Sequence, residues 1–347
     1  MRKKKIVVTH AQVPFETGGA ELHVRNLTAQ LKKHGFDAEL VQLPYKWYPP
    51  ESLYDNLLMW RLLDLKEIHQ EKISLVIGTK FPSYGLEHPN KIAWVIHQFR
   101  QAYDLYDTPY GLAHAENGAQ IREIVKNYDE TVLKECRTIF ANSKTVAARM
   151  KKYNHLDAQA LYHPPALEGR YACHAFENYI LSVGRLDRLK RNDLLIRALA
   201  YCDTNITVKI AGRGSEQKAL EKLAKTLGVS GRVEFLGFVK DEELLELYAN
   251  ARMVYYAPVD EDYGYVTLEA FLSGKPVITC QDAGGVLEFV KENETGFVCV
   301  PDEKAIGACI DGNFEQVSRL RELGQEGYQK VKKISWDDVV ERLTDGL

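Results

Sequence analysis

A chain of 347 residues is too long for one core of ordinary size and fits two domains. Its hydrophobic share of 45% and charged share of 27% are globular values that exclude disorder and a coiled coil, and a formal charge of -3 sets nucleic acid aside as the main partner. No apolar run approaches the roughly 20 residues of a membrane-spanning helix. Cys136, Cys173, Cys202, Cys280, Cys299 and Cys309 form no Cys-x-x-Cys pair and show no metal-ligand spacing, which suits a reducing cytoplasm.

The N-terminal Met1-Arg2-Lys3-Lys4-Lys5 is basic, but Ile6-Val7-Val8 is too short for a signal-peptide core and reads as the start of a buried strand. A first strand is expected over 6–9, and a helix over 20–34 with Gly35 as its stop. Between them Gly18-Gly19-Ala20-Glu21 opens the helix; paired glycines there let a backbone approach a phosphate or a sugar, or merely make a turn. Strands at 37–42, 73–78 and 92–96 alternate with helices, which predicts a parallel sheet. Tyr45-Lys46-Trp47-Tyr48-Pro49-Pro50 and the Leu-rich run from Leu57 to Leu65 read in two ways. They are either a membrane-surface contact or a loop with a helix packed on the sheet.

After the fourth strand come His97, Arg100, Tyr103 and Asp104, at the strand end where ligands of open α/β sheets collect. A helix over 117–135, a strand over 138–141, a capped helix over 143–152 and a strand over 159–162 complete the first half. Weak periodicity and Pro164-Pro165 place a hinge at 163–178.

The second half starts with a strand at 179–183, followed by Gly184-Arg185-Leu186-Asp187-Arg188-Leu189-Lys190-Arg191. Two cations at a strand end suit a diphosphate leaving group, and they also suit an ordinary solvated loop. The strand at 206–211 leads to Gly212-Arg213-Gly214, only half of a dinucleotide fingerprint because Gln217 stands where a third glycine belongs. A strand at 233–236 and a loop through Val239 follow. The chain is organised around the stretch 253–279, which reads as strand, loop, helix from about Gly264, stop at Gly274 and Pro276, and next strand. Glu261 then lies in the loop and Glu269 inside a very apolar helix, where a carboxylate requires a partner or a polar ligand. Gly264, Tyr265 and Val266 lie at the helix start, where free N–H groups and the dipole favour a diphosphate.

The acidic residue, Gly264, Glu269, Gly274 and Lys275-Pro276-Val277 together resemble the Glu-x7-Glu signature of the retaining GT-B glycosyltransferases of family 4. Gly18-Gly19-Ala20-Glu21, Gly184-Arg185 with Lys190, Gly212 and Gly284-Gly285 match the same family, so the resemblance covers nearly the full length. Arg191 replaces its usual glycine, which leaves the local backbone shape open. Pro164-Pro165 stand where an Asn-Gly pair is commoner, and this form occurs in mannosyltransferase-like members.

The resemblance implies two facing Rossmann-like domains with parallel sheets and a deep interdomain cleft. They would span 1–165 on the acceptor side and 166–333 on the nucleotide-sugar side, with a helix at 334–347 crossing back. It implies roles for Arg185 and Lys190 at the leaving diphosphate, Glu261 and His97 at the sugar, and Glu269 at the ribose. Gly18, Gly19, Gly184, Gly212, Val239, Gly264, Tyr265 and Val266 would line the donor, with Arg100, Tyr103 and Asp104 touching the acceptor. The expected function is metal-independent, cofactor-free, retaining transfer from GDP-mannose or a UDP-sugar to a glycan or lipid-linked acceptor. That chemistry would serve polysaccharide or glycolipid synthesis in the cytoplasm, with peripheral contact at the inner membrane surface and no nucleic acid. A sugar-nucleotide epimerase and an inactive bilobal binding protein are the alternatives. The Asp-x-Asp-like Asp260-Glu261-Asp262 is discounted as a metal motif.

Overall fold

A computed structural model describes residues 3–16 and 18–347; Met1 and Arg2 of the basic run and Thr17 of the loop before Gly18 lie outside the described residues. The chain divides into two compact units, one of residues 1–166 with 335–347 and one of residues 167–334.

In the first unit the strands are β1 (Lys5–Gln12), β2 (Asp37–Pro44), β3 (Glu67–Ile68), β4 (Glu71–Lys72), β5 (Leu75–Gly78), β6 (Lys91–Val95), β7 (Thr138–Ala141) and β8 (Gln159–Ala160). Six of them make a sheet in the order β2-β1-β5-β6-β7-β8, every pairing parallel. Ile6, Val7 and Val8 are all buried, as a parallel strand covered on both faces requires. The helices are α1 (Gly19–Lys33), α2 (Ser52–Leu62), α3 (Gly118–Lys134) and α4 (Lys144–Asn154). Val24, Leu27 and Leu31 of α1 are buried at helical spacing against the sheet. The hairpin β3–β4 was not foreseen: its strands are two residues long, too short for alternation to show, and His69 and Gln70 turn it at positive φ.

The second unit contains β9 (Tyr179–Val183), β10 (Thr207–Ala211), β11 (Val233–Gly237), β12 (Met253–Tyr255), β13 (Val277–Cys280) and β14 (Gly296–Cys299). Its helices are α5 (Asn192–Ala198), α6 (Gln217–Thr226), α7 (Asp241–Asn250), α8 (Tyr265–Leu272), α9 (Glu303–Asn313) and α10 (Val317–Val331). The sheet order is β11-β10-β9-β12-β13-β14, the doubly wound order in which the winding reverses between β9 and β12. That reversal opens a crevice at the strands' C-terminal ends, and the loops after β9 and β12 meet there.

The last helix, α11 (Trp336–Thr344), belongs to the first unit. Ser335 caps it, and Trp336, Val339, Val340 and Leu343 are buried against Ile6, Val8, Val24 and Leu27. Trp336 closes a cluster of four rings with His23, Trp94 and His163.

Candidate active site

The loop after β9 carries Gly184, Arg185 and Lys190, and the loop after β12 carries Glu261. Asp187 accepts a hydrogen bond from the Lys190 backbone N–H at 3.2 Å, which shapes the one-turn helix Arg188–Lys190. The Lys190 ammonium donates to a Glu261 carboxylate oxygen and to the Tyr256 hydroxyl at 3.2 Å, while Tyr256 donates to the same carboxylate oxygen at 2.9 Å. Cation, phenol and carboxylate thus form a half-buried triangle at the crevice. Arg185 is different: its side chain is 71% exposed, with Asp187 at 3.8 Å, so it is held only loosely. Arg191 adopts the left-handed conformation, φ 50 and ψ 41, so an arginine here follows the backbone path that glycine would take.

Glu269 lies in the middle of α8, and its partners come from elsewhere in the same unit. Tyr248 of α7 donates to it at 2.7 Å, and the Tyr171 hydroxyl also acts on the same carboxylate. Burial pushes the Glu269 pKa up, and the two phenols pull against that shift. Gly264 opens α8 at φ 82, where a Cβ would lie 3.0 Å from Tyr256 and 3.1 Å from Val286. Tyr265 and Val266 form the first turn that follows. Gly212, after β10, packs so tightly on Gly184 that a Cβ would sit 1.8 Å from its carbonyl oxygen. The Gly212 N–H reaches Gly237 O at 2.7 Å, joining this wall to the loop that holds half-buried Val239. The second unit's expected donor residues therefore gather at the C-terminal ends of β9, β10, β11 and β12. Among the described residues, no group of three His, Cys, Asp or Glu side chains could hold a metal ion.

In the first unit, Gly18 and Gly19 start α1 after β1. Glu21 accepts the Gly18 N–H at 2.8 Å and faces His10 at 3.4 Å and Lys80 at 3.9 Å. Burial raises its carboxyl, but the bond to His10, the Lys80 charge and the Gly18 N–H outweigh burial and hold it down at about 2. An ionised Glu21 therefore fixes the glycine turn. His97 follows β6, and its Nδ1 lies 2.8 Å from the Gln98 carbonyl. A carbonyl only accepts, so Nδ1 carries the hydrogen of that bond.

The three residues expected at the acceptor divide. Arg100 and Asp104 pair with each other, Nε and Nη2 both reaching Oδ2 at 2.8 and 2.6 Å, while Asp104 Oδ1 is buried without a hydrogen-bond partner among the described residues. Tyr103 must be corrected. It is buried, donating to Asp129 at 2.7 Å and accepting from Asn154 at 3.0 Å, so its hydroxyl belongs to the core network and not to an acceptor surface. Tyr84 also donates to Asp129 at 2.7 Å. Burial lifts Asp129 to about 7, against the two phenols that would lower it.

Residues 174–330 match the family described as glycosyl transferases group 1. An uncharacterised glycosyltransferase of Methanocaldococcus jannaschii is 39% identical, over 97% of this chain and 95% of that protein. The chain belongs to this glycosyltransferase family. Human alpha-1,3/1,6-mannosyltransferase ALG2 is 28% identical over 44% of this glycosyltransferase and 41% of its own length. The crystal structure of Anabaena HepE with UDP and glucose superposes with a TM-score of 0.72 at 18% identity, covering 99% of this glycosyltransferase and 98% of that chain. Both units of the glycosyltransferase are thus Rossmann-like, in keeping with a GT-B protein.

Sequence reasoning missed the groups that hold the glutamates. Tyr171, Tyr248 and Tyr256 carry no motif, and nothing in their spacing points to Glu269 or Glu261. The one available signal was the apolar helix around Glu269, which demanded a partner without naming it.

Proposed function

We propose that this glycosyltransferase moves a sugar, with retention of configuration and without a metal ion, from a nucleotide diphosphate sugar to a glycan or lipid-linked acceptor. The observation that carries the reading is the Lys190–Tyr256–Glu261 triangle at the winding reversal, with Glu269 held by two tyrosines in the same unit. An ammonium has three N–H donors. Two are directed at Glu261 and Tyr256, and the third is available to a phosphate oxygen. Lys190 and the loosely held Arg185 would stabilise the charge that grows on the diphosphate as the bond from the sugar carbon to phosphate breaks. The acceptor oxygen bonds to that carbon on the same face, and its proton passes to the departing phosphate oxygen. Glu261 and His97 would hold sugar hydroxyls and Glu269 the ribose. Gly18, Gly19, Gly184, Gly212, Val239, Gly264, Tyr265 and Val266 would line the donor, and Arg100 and Asp104 would meet the acceptor.

UDP bound to HepE and the mannosyl specificity named for ALG2 support a UDP-sugar and GDP-mannose as the two donors to try first. A donor screen by thermal shift tests the reading, since specific binding raises apparent stability. Turnover of the binding donor should then survive EDTA. Loss on chelation, restored by magnesium or manganese, would return Asp260-Glu261-Asp262 to the role of a metal site.

Peripheral contact with a membrane surface is part of the same proposal. The two readings of α2 are compatible: Leu53, Leu57 and Trp60 are buried, while Leu58, Met59 and Leu62 are exposed on another face. No helix among the described residues is long and apolar enough to cross a membrane. Cosedimentation with anionic vesicles that survives replacement of Leu58, Met59 and Leu62 by Glu would remove α2 from that role.

A further inference from the structure

Arg191 departs from the motif its neighbours follow, and its side chain has no part in the chemistry above. A non-glycine residue at φ 50 is uncommon. Glycine would suit the turn, so the side chain is the reason to look for a function here. Its Nε donates to the Ala257 carbonyl at 2.7 Å and its Nη2 to the Pro258 carbonyl at 2.9 Å. Nη1 and Nη2 grip the two oxygens of Asp282 at 2.9 and 2.6 Å. Four of the five guanidinium N–H groups are thus used; the arginine side chain is only 13% exposed, while its carboxylate partner Asp282 is 46% exposed.

What the fork joins matters more than its strength. Arg191 follows Lys190 directly. Ala257 and Pro258 lie in the loop between β12 and α8 that carries Glu261, and Asp282 lies in the loop of Gly284 and Gly285 after β13. Backbone bonds continue the junction: Val259 N–H to Leu189 O at 2.8 Å, Asp260 N–H to Asp282 O at 2.8 Å, and Gly285 N–H to Glu261 O at 2.7 Å. The Tyr255 hydroxyl donates to the Arg191 carbonyl at 3.1 Å, anchoring the turn to β12. Three loops from β9, β12 and β13 meet at one guanidinium.

We propose that Arg191 is a positioning residue that sets the spacing between Lys190 and Glu261, and so presents both to the sugar diphosphate at one fixed separation. The inference rests on the roles given to Lys190 and Glu261 above. A lysine at 191 would supply the charge without the planar fork, and a single ammonium cannot make the same set of bonds.

The test uses the full chain with Arg191→Gly, which keeps the left-handed turn, Arg191→Lys, Lys190→Ala, and the Lys190→Ala/Arg191→Gly double variant. Hydrogen exchange of the 257–264 and 281–285 amides should accelerate about tenfold or more in Arg191→Gly, with β9, β10 and the first unit unchanged. Nucleotide release from UDP-glucose or GDP-mannose, whichever the wild type turns over, should fall about 10- to 100-fold at saturating donor. Affinity for free UDP or GDP should stay within about threefold. Arg191→Lys should behave like Arg191→Gly. In the Lys190→Ala background, Arg191→Gly should add less than about threefold, because the two act through one arrangement. Unchanged exchange in 257–264, an intact saturated rate, or a full independent loss in the double variant would each overturn the proposal. A wild type that turns over neither donor counts against the proposed reaction, and the exchange result alone then decides the role of Arg191.

Discussion

Replacing Tyr248 by Phe removes one of two phenols that hold Glu269 and leaves the ring in place. The lost bond, 2.7 Å long, goes to a carboxylate in a buried setting. Hydrogen bonds to charged groups contribute about 1.5 to 3 kcal/mol, which shifts the balance from ionised to protonated carboxyl by roughly 10- to 100-fold. Burial already raises the Glu269 pKa above its ordinary 4.5, and the substitution pushes it further in the same direction. Ribose hydroxyls donate to the ionised form, which exists above the pKa. Affinity for UDP or GDP should therefore fall as pH drops through the Glu269 midpoint, and Tyr248→Phe should move that fall upward by about one to two pH units. Calorimetry from pH 5 to pH 8 on wild type, Tyr248→Phe and Glu269→Gln measures it, with Tyr171→Phe expected to shift in the same direction. Superimposable pH profiles for wild type and Tyr248→Phe, or nucleotide affinity unaffected by Glu269→Gln, would refute the ribose role.

Three further outcomes are expected. Lys190→Ala and Arg185→Ala should each lose about 10² to 10³ in saturated rate, more than in donor affinity, while Arg188→Ala, whose exposed side chain lies 3.5 Å from Glu216, should change little in steady-state kinetics. Asp129 has its pKa lifted from 3.8 to about 7, so from about pH 4 to 7 the native state holds a proton that the unfolded state has released; stability should fall by about 1.4 kcal/mol per pH unit across that window. Asp129→Asn should flatten the slope in denaturant titrations between pH 5 and pH 7. Trp336→Ala, which empties a buried site among His163, Trp94 and His23, should cost about 3 to 5 kcal/mol by the same titrations at constant pH.

The sheet strands were legible because Ile6 to Val8, Ile92 to Val95 and Met253 to Tyr255 are continuous apolar runs bounded by loops, the mark of parallel strands buried on both faces. The gathering of Gly184, Lys190 and Glu261 followed from motifs at strand ends, since a doubly wound sheet brings such ends together whatever their separation in sequence. Side-chain partnership was not legible. Tyr103 stood in a polar run after a strand and looked like surface, yet Asp129 of α3 and Asn154 of α4 enclose its hydroxyl, and neither is close to it in sequence. Arg191 stood out in the sequence only as a replacement for a glycine; its worth depends on two carbonyls and a carboxylate 66 to 91 positions away. Local pattern reports burial well and reports long-range polar pairing hardly at all.

The place of α11 bears on how the chain is made. The first unit's sheet is specified by residues up to Ala160, but one wall of its core consists of Trp336, Val339, Val340 and Leu343. A ribosome adding residues from the N-terminus completes the whole of 167–334 before it supplies that wall. During the interval Ile6, Val8, Val24 and Leu27 lack their cover, and the buried rings of His23 and Trp94 stand partly open. The second unit carries its entire core within its own stretch of chain and is free to fold first. The N-terminal half is thus translated first and finished last, and a chain that stops just after 334 keeps a whole second unit beside a first unit that lacks its last wall.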